Sequence, residues 1–262
     1  MINILRTGAF AVALAVSPAL VTVASAQEKA VKADPLPPEL RSAFEGVVRD
    51  YILKNPALIR EAMQLLQARE EAEKQAAATA ALKQYRGELL QNANSPVGGN
   101  PEGDITVVEF FDYNCGYCKR VAPTMAAVVK NDPNVRVVYK EFAILGPQSI
   151  VAARAALAAK RQGKYHEFHV ALMSADQADE NSVAATARSL GLDYAKLVKD
   201  MEDPAISEQL ERNYRLATAI GINGTPAFVI GDRLVPGAVD EAAMMEIIAD
   251  ERAKMKAAPA GN

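Results

Sequence analysis

The residues best suited to chemistry are Cys115 and Cys118, the only two cysteines among 262 residues. They stand in Cys115-Gly116-Tyr117-Cys118, after the apolar run Val108-Glu109-Phe110-Phe111 and ahead of a helix-compatible segment that opens Lys119-Arg120. A strand that hands two thiols to a helix N-terminus favours ionisation of the first, because the unpaired N–H groups and the helix dipole stabilise a thiolate there. The second thiol, one turn on, can resolve a mixed disulfide. The spacing implies thiol–disulfide exchange in which Cys115 attacks and Cys118 releases. A structural staple is disfavoured, since so small a loop adds little stability. Half of a zinc site completed by His166 and His169 is disfavoured by the long cysteine-to-histidine gap. Copper(I) held by the two thiolates is chemically allowed, though no Met-rich or His-rich cluster supports it and Met244-Met245 reads as helix core. No metal and no cofactor is expected.

The elements that must position this pair follow from patterning. Arg6, the apolar stretch Ala9 to Val23 and Ala24-Ser25-Ala26 match a secretory leader over 1–26, interrupted by Ser17-Pro18 and so ill-suited as an anchor. After a polar, proline-rich lead-in, Leu40, Phe44, Val47, Val48 and Tyr51 recur at helical spacing. Asn55-Pro56 breaks that helix, and a second spans about 56–92, apolar early (Leu58, Ile59, Met63, Leu65, Leu66), then charged and alanine-rich. Such an apolar stripe must fold back on the rest of the chain or meet copies of itself. The charged stretch reads as a spacer and favours self-association. Residues 93–103, rich in Asn, Pro and Gly, read as a linker.

A domain over 104–262 then opens with strand Ile105–Phe111, a helix from Lys119 to Lys130 and strand Val135–Phe142, a βαβ unit with parallel strands. Helical segments follow at 150–160, 165–173, 182–190, 194–201 and 206–220. A hairpin around Gly231-Asp232 and a last helix over 241–256, capped by Asp240, complete the chain. The order is that of an α/β thioredoxin fold with an inserted helical domain at about 147–220. A net charge of −3 gives no hint of a nucleic-acid partner.

The stretch Glu109 to Lys119, the dipeptide Thr225-Pro226 and the helical block between them resemble the DsbA-like thioredoxin superfamily. Within it, the N-terminal helices with Val48-Arg49-Asp50-Tyr51-Ile52-Leu53-Lys54-Asn55-Pro56 at their junction resemble the suppressor-of-copper-sensitivity protein C branch. The resemblance implies that 27–92 is an oligomerising stalk, trimeric in known isomerases of that branch, and that Pro226 is a cis-proline facing the dithiol. It also implies that Thr225 pairs with an extended substrate, and that Glu109 is a buried acid passing protons to and from Cys118. Gly116 and Tyr117, with no histidine between the cysteines, resemble the centre of periplasmic isomerases. Lys119 and Arg120 could assist the thiolate or form a solvated helix face.

The expected protein is a periplasmic, homo-oligomeric disulfide isomerase or reductase. It would act on misfolded or misoxidised exported proteins and be kept reduced by a membrane-bound thiol reductase. A disulfide-introducing oxidase with the same residues is the first alternative, and a copper-binding or copper-stress protein is the second.

Overall fold

The structure is a computed structural model that describes residues 37–257. The leader expected over 1–26 and most of the lead-in lie outside the described residues. Among the described residues no helix is long and apolar enough to cross a membrane. The chain divides into two compact units between Glu61 and Ala62.

The first unit holds helix α1 (Pro38–Lys54) and the start of α2 (Ala57–Gln84). Proline at the first position of α1 costs nothing, because its missing N–H has no partner there anyway. Asn55 caps the helix end, its N–H donating to Tyr51 and Ile52. None of the apolar stripe is covered: Leu40, Phe44, Val47, Val48, Tyr51, Leu58, Ile59, Met63, Leu65 and Leu66 are all exposed.

The second unit is built on five strands in the order β1 (Val97–Gly99), β3 (Val135–Glu141), β2 (Ile105–Phe111), β4 (Ala227–Ile230) and β5 (Arg233–Pro236). β2 and β3 are parallel, as the βαβ reading requires, joined by α4 (Gly116–Asn131). β4 and β5 form the expected hairpin, and β4 runs antiparallel to β2. Central β2 is buried on both faces, which is why its sequence reads as a continuous apolar run. Val107 and Phe111 enter one core with α4, with the last helix α10 (Glu241–Ala257) and with the inserted helices. Val108 and Phe110 enter the other.

The insertion comprises α5 (Pro147–Lys160), α6 (Tyr165–Ser174), α7 (Glu180–Ser189), α8 (Tyr194–Met201) and α9 (Pro204–Ala219). Asp179, Asp193 and Asp203 cap α7, α8 and α9, their carboxylates accepting from the N–H groups of Ser182, Lys196 and Ala205. Those caps set the helix starts, so α7 and α9 begin two residues before the expected starts at 182 and 206. α4 likewise begins at Gly116, three residues before the expected Lys119, and runs on through Pro123.

Two differences concern the stretch before the catalytic fold. The long second helix stops at Gln84, and a separate short α3 (Arg86–Gln91) follows. Residues 97–99, expected within a linker, form edge strand β1, paired antiparallel with β3. Gly99 permits this with φ of 63° and with the Val135 carbonyl where a Cβ would stand. Leu82 and Leu89 fill the core on the second face of the sheet with Val108, Phe110, Leu216 and Ile220. Lys140, fully buried on β3, ties this layer down: its ammonium donates to the Glu88 carbonyl at 2.7 Å and to Ser95 Oγ at 2.8 Å. The physical boundary of the catalytic fold therefore lies upstream of residue 93.

Truncating either leucine leaves a cavity between helix and sheet. Leu82→Ala or Leu89→Ala is expected to lower the urea-unfolding free energy of chain 74–262 by about 2–5 kcal/mol. An unchanged midpoint would show that this segment is not part of the core.

Candidate active site

The turn that ends β2 is held by Asp112, a buried carboxylate. It accepts from the Asn114 N–H at 2.8 Å, the Ile144 N–H at 2.9 Å, the Leu145 N–H at 3.0 Å and Ser149 Oγ at 2.7 Å. Asn114 continues the clamp, exchanging hydrogen bonds with the backbone of Ala178 at 2.9 and 3.1 Å. Sequence reasoning missed both residues. The aspartate-x-asparagine pattern ahead of the cysteines was the available signal, because both types accept from backbone two residues on.

Cys115 is the N-cap of α4, so Cys118 lies in the first turn of the helix. Both are free thiols. Cys115 Sγ accepts from the Cys118 N–H at 3.4 Å and lies 3.2 Å from the Thr225 carbonyl, to which its thiol donates. Burial resists ionisation of Cys115. The Thr225 side chain and the N–H groups of Cys118 and Tyr117 favour it and outweigh burial, so its thiol is more acidic than usual. Cys118, fully buried, is pushed the other way by desolvation, with the charge of Cys115 adding to the effect. The first thiol thus ionises more readily than usual, and the second less readily.

The Thr225-Pro226 bond is cis and sits against Cys115. The Pro226 carbonyl accepts from Gly237 N–H at 2.9 Å, and a hollow of about 200 Å³ borders the loop. Gly116 opens α4, where an added Cβ would meet Arg120 Nη1 at an ordinary 3.8 Å. Tyr117 projects outward, 60% exposed, with the Arg120 guanidinium 4.1 Å over its ring. Arg120 therefore engages an aromatic face, and Lys119 also turns away from the thiols, its ammonium donating to the carbonyls of Ala175 and Asp176 beyond the end of α6.

Glu109 lies on the α4 face of β2 and is only 2% exposed. Desolvation alone pushes its carboxyl up to about 8, so it is mostly protonated at neutral pH. Among the described residues no hydrogen bond joins it to either cysteine. The two histidines part company. His166 is exposed, whereas His169 is buried, its Nδ1 3.2 Å from the Tyr113 hydroxyl. Tyr113 and Tyr165 both donate to Glu141 Oε1, at 3.1 and 2.7 Å. Burial raises Glu141 to about 8 as well. Among the described residues no group of three or more His, Cys, Asp or Glu side chains is placed to hold a metal.

Residues 106–249 match the family described as DSBA-like thioredoxin domain, more than half of the chain. The chain belongs to that family. Residues 41–73 match a second model, the copper resistance protein ScsC N-terminal domain. Among solved structures, a thioredoxin-like oxidoreductase from Silicibacter pomeroyi DSS-3 is 49% identical, over 64% of this chain and 98% of that one, with a TM-score of 0.63. Proteus mirabilis ScsC in a transitional conformation is 31% identical, over 84% of this chain and all of that one, also with a TM-score of 0.63. The Bordetella parapertussis thiol:disulfide interchange protein DsbA is 29% identical over 56% of this chain and 73% of its own length. The Na(+)/H(+) antiporter NhaA of Herminiimonas arsenicoxydans matches 60% of this DSBA-like chain at 27% identity, and there the match spans about a quarter of the relative's length.

Glu109 and Glu141 make stability depend on pH. An unfolded glutamate loses its proton near 4.3, whereas these two keep theirs to about 8. Between those values the folded state binds protons that the unfolded state has released, so stability falls as pH rises. Glu109→Gln removes one of the two groups. The variant is expected to gain on the parent by up to about 1.4 kcal/mol per pH unit through this window, measured by urea unfolding at pH 5 and 7.5. Parallel pH curves would show that Glu109 does not titrate this way.

Proposed function

We propose that this chain is an exported thiol–disulfide oxidoreductase acting as an oligomeric disulfide isomerase and reductase. Its Cys115 thiolate would attack one sulfur of a substrate disulfide, forming a mixed disulfide and expelling the other sulfur as a thiolate. That thiolate can attack a second disulfide and return Cys115 unchanged, which is isomerisation. Otherwise Cys118 attacks the mixed disulfide, the substrate leaves reduced, and a Cys115–Cys118 disulfide remains for a membrane-bound thiol reductase to reopen. The ionised minority of Glu109, whose carboxyl titrates at about 8, would take up the Cys118 proton, and the protonated form would return it. Tyr117, Gly116 and the Thr225-Pro226 loop would seat an extended substrate segment by main-chain pairing. Misfolded or misoxidised exported proteins would be the substrates and the periplasm the compartment, in keeping with the leader-like sequence over 1–26.

The observation that carries the isomerase reading is the uncovered apolar stripe of α1 and early α2. An isolated pair of helices cannot leave ten large apolar side chains in water at no cost, at about 25 cal/mol per Å². Helices of copies of this chain, a trimer by resemblance, would cover them and gather several dithiols around one substrate. The match of 41–73 to the ScsC N-terminal model supports this, and that model's description also favours a role in copper tolerance.

The test compares chain 27–262 with chain 74–262, which keeps Leu82 and Leu89, in refolding a scrambled multi-disulfide protein under a weakly reducing buffer. The longer chain is expected to sediment as an oligomer and restore activity, and the shorter to be monomeric and to reduce disulfides without isomerising them. If both chains readily oxidise a reduced substrate and neither rescues the scrambled one, the protein is an oxidase with a stalk.

A further inference from the structure

Beside the dithiol, an apolar cavity of about 770 Å³ opens between α4, α6 and the sheet. Met125, Val129 and Met173 supply apolar wall, Tyr139 an aromatic floor, and Glu109 and His169 two polar groups. Its size lies within the range typical of small-molecule sites. Both polar side chains are more than nine-tenths buried, and neither is fully partnered. Glu109 makes no hydrogen bond among the described residues.

His169 bonds through Nδ1 only. The Tyr113 hydroxyl lies within hydrogen-bond distance of both Glu141 Oε1 and His169 Nδ1, at 3.1 and 3.2 Å. Among the described residues His169 Nε2 has no hydrogen-bond partner. The two groups sit beside the same ring: Glu109 faces Tyr139 across the β2–β3 ladder, and the His169 and Tyr139 ring centroids are 4.7 Å apart. A neutral acid and a neutral imidazole each offer an unpaired polar atom, and Met125, Val129 and Met173 supply apolar wall beside them.

We propose that this cavity binds a small uncharged molecule with an aromatic or alicyclic body and a hydroxyl group, which hydrogen-bonds to Glu109 and to His169 Nε2. A charged ligand is disfavoured by the same desolvation that keeps Glu109 protonated and holds His169 neutral, near 3. The charged or polar side chains Lys119, His166 and Ser174 also border the cavity, and of these Lys119 is already engaged by two carbonyls.

The probe is p-cresol, titrated into the full mature chain carrying ¹³C-methyl methionine and compared with toluene, benzoate and benzylamine. Saturable shifts of the Met125 and Met173 methyls by p-cresol are expected, with affinity at least tenfold above toluene and no binding of the two ions. His169→Phe should bring p-cresol down to the toluene level. Val170→Trp, at a half-exposed cavity-lining position, should block p-cresol while leaving the alkylation rate of Cys115 unchanged. Equal affinity for toluene and p-cresol, still methyls, or binding that survives Val170→Trp would each overturn the proposal and leave a hydrated cleft.

Discussion

The Asp112 carboxylate is the interaction on which the rest of the catalytic unit depends. Four donors converge on it, from the dithiol loop, from the segment after β3 and from the start of α5. A buried carboxylate survives only when its oxygens are satisfied, and here each oxygen accepts two hydrogen bonds. The result is a fixed geometry: the end of β2, the Cys115 turn and the inserted helices cannot move independently. Asn114 extends the constraint to the α6–α7 loop, and Lys119 adds two carbonyls from the same loop. The insertion is thus anchored on both sides of the two cysteines, so a dithiol at a helix end acquires a rigid frame.

That frame explains why the two thiols differ. Both belong to one four-residue motif, and their chemical difference comes from where each side chain points. Cys115 stands at the N-terminus of α4, where N–H groups are free to stabilise negative charge. Cys118, one turn later, points into the core. The two thiols of the pair therefore differ in both burial and acidity. The buried acids Glu109 and Glu141 keep protons to about 8 that a surface carboxylate would have released long before neutral pH.

The region ahead of the catalytic fold serves two masters. Its first helix and the start of the second present apolar side chains without a partner. The last turns of α2 and the short α3 send Leu82 and Leu89 into the core on the second face of the sheet. Lys140 secures them through a backbone carbonyl and a serine hydroxyl, a pairing that no hydropathy pattern announces. A reading of this stretch as a free-standing stalk followed by a loose linker misses that half of it belongs to the sheet.

By itself the sequence determined four of the five strands and nearly every helix. Apolar period and capping residues are local: Ile105–Phe111 carries its double burial in its composition, and Asp193, Asp203-Pro204 and Gly231-Asp232 punctuate the chain wherever it folds. The Cys115-Gly116-Tyr117-Cys118 spacing likewise carries its chemistry within one helical turn. Only the tertiary structure decided what depends on residues far apart in sequence. It turned Asp112 from a loop acid into the clamp of the dithiol, gave Lys119 to the α6–α7 loop, buried His169 against Tyr113 and made residues 97–99 a strand. Each of these outcomes rests on a hydrogen-bond partner dozens of residues away. Desolvation, which raises Glu109 and Glu141, is likewise a property of the packed neighbourhood rather than of the residue.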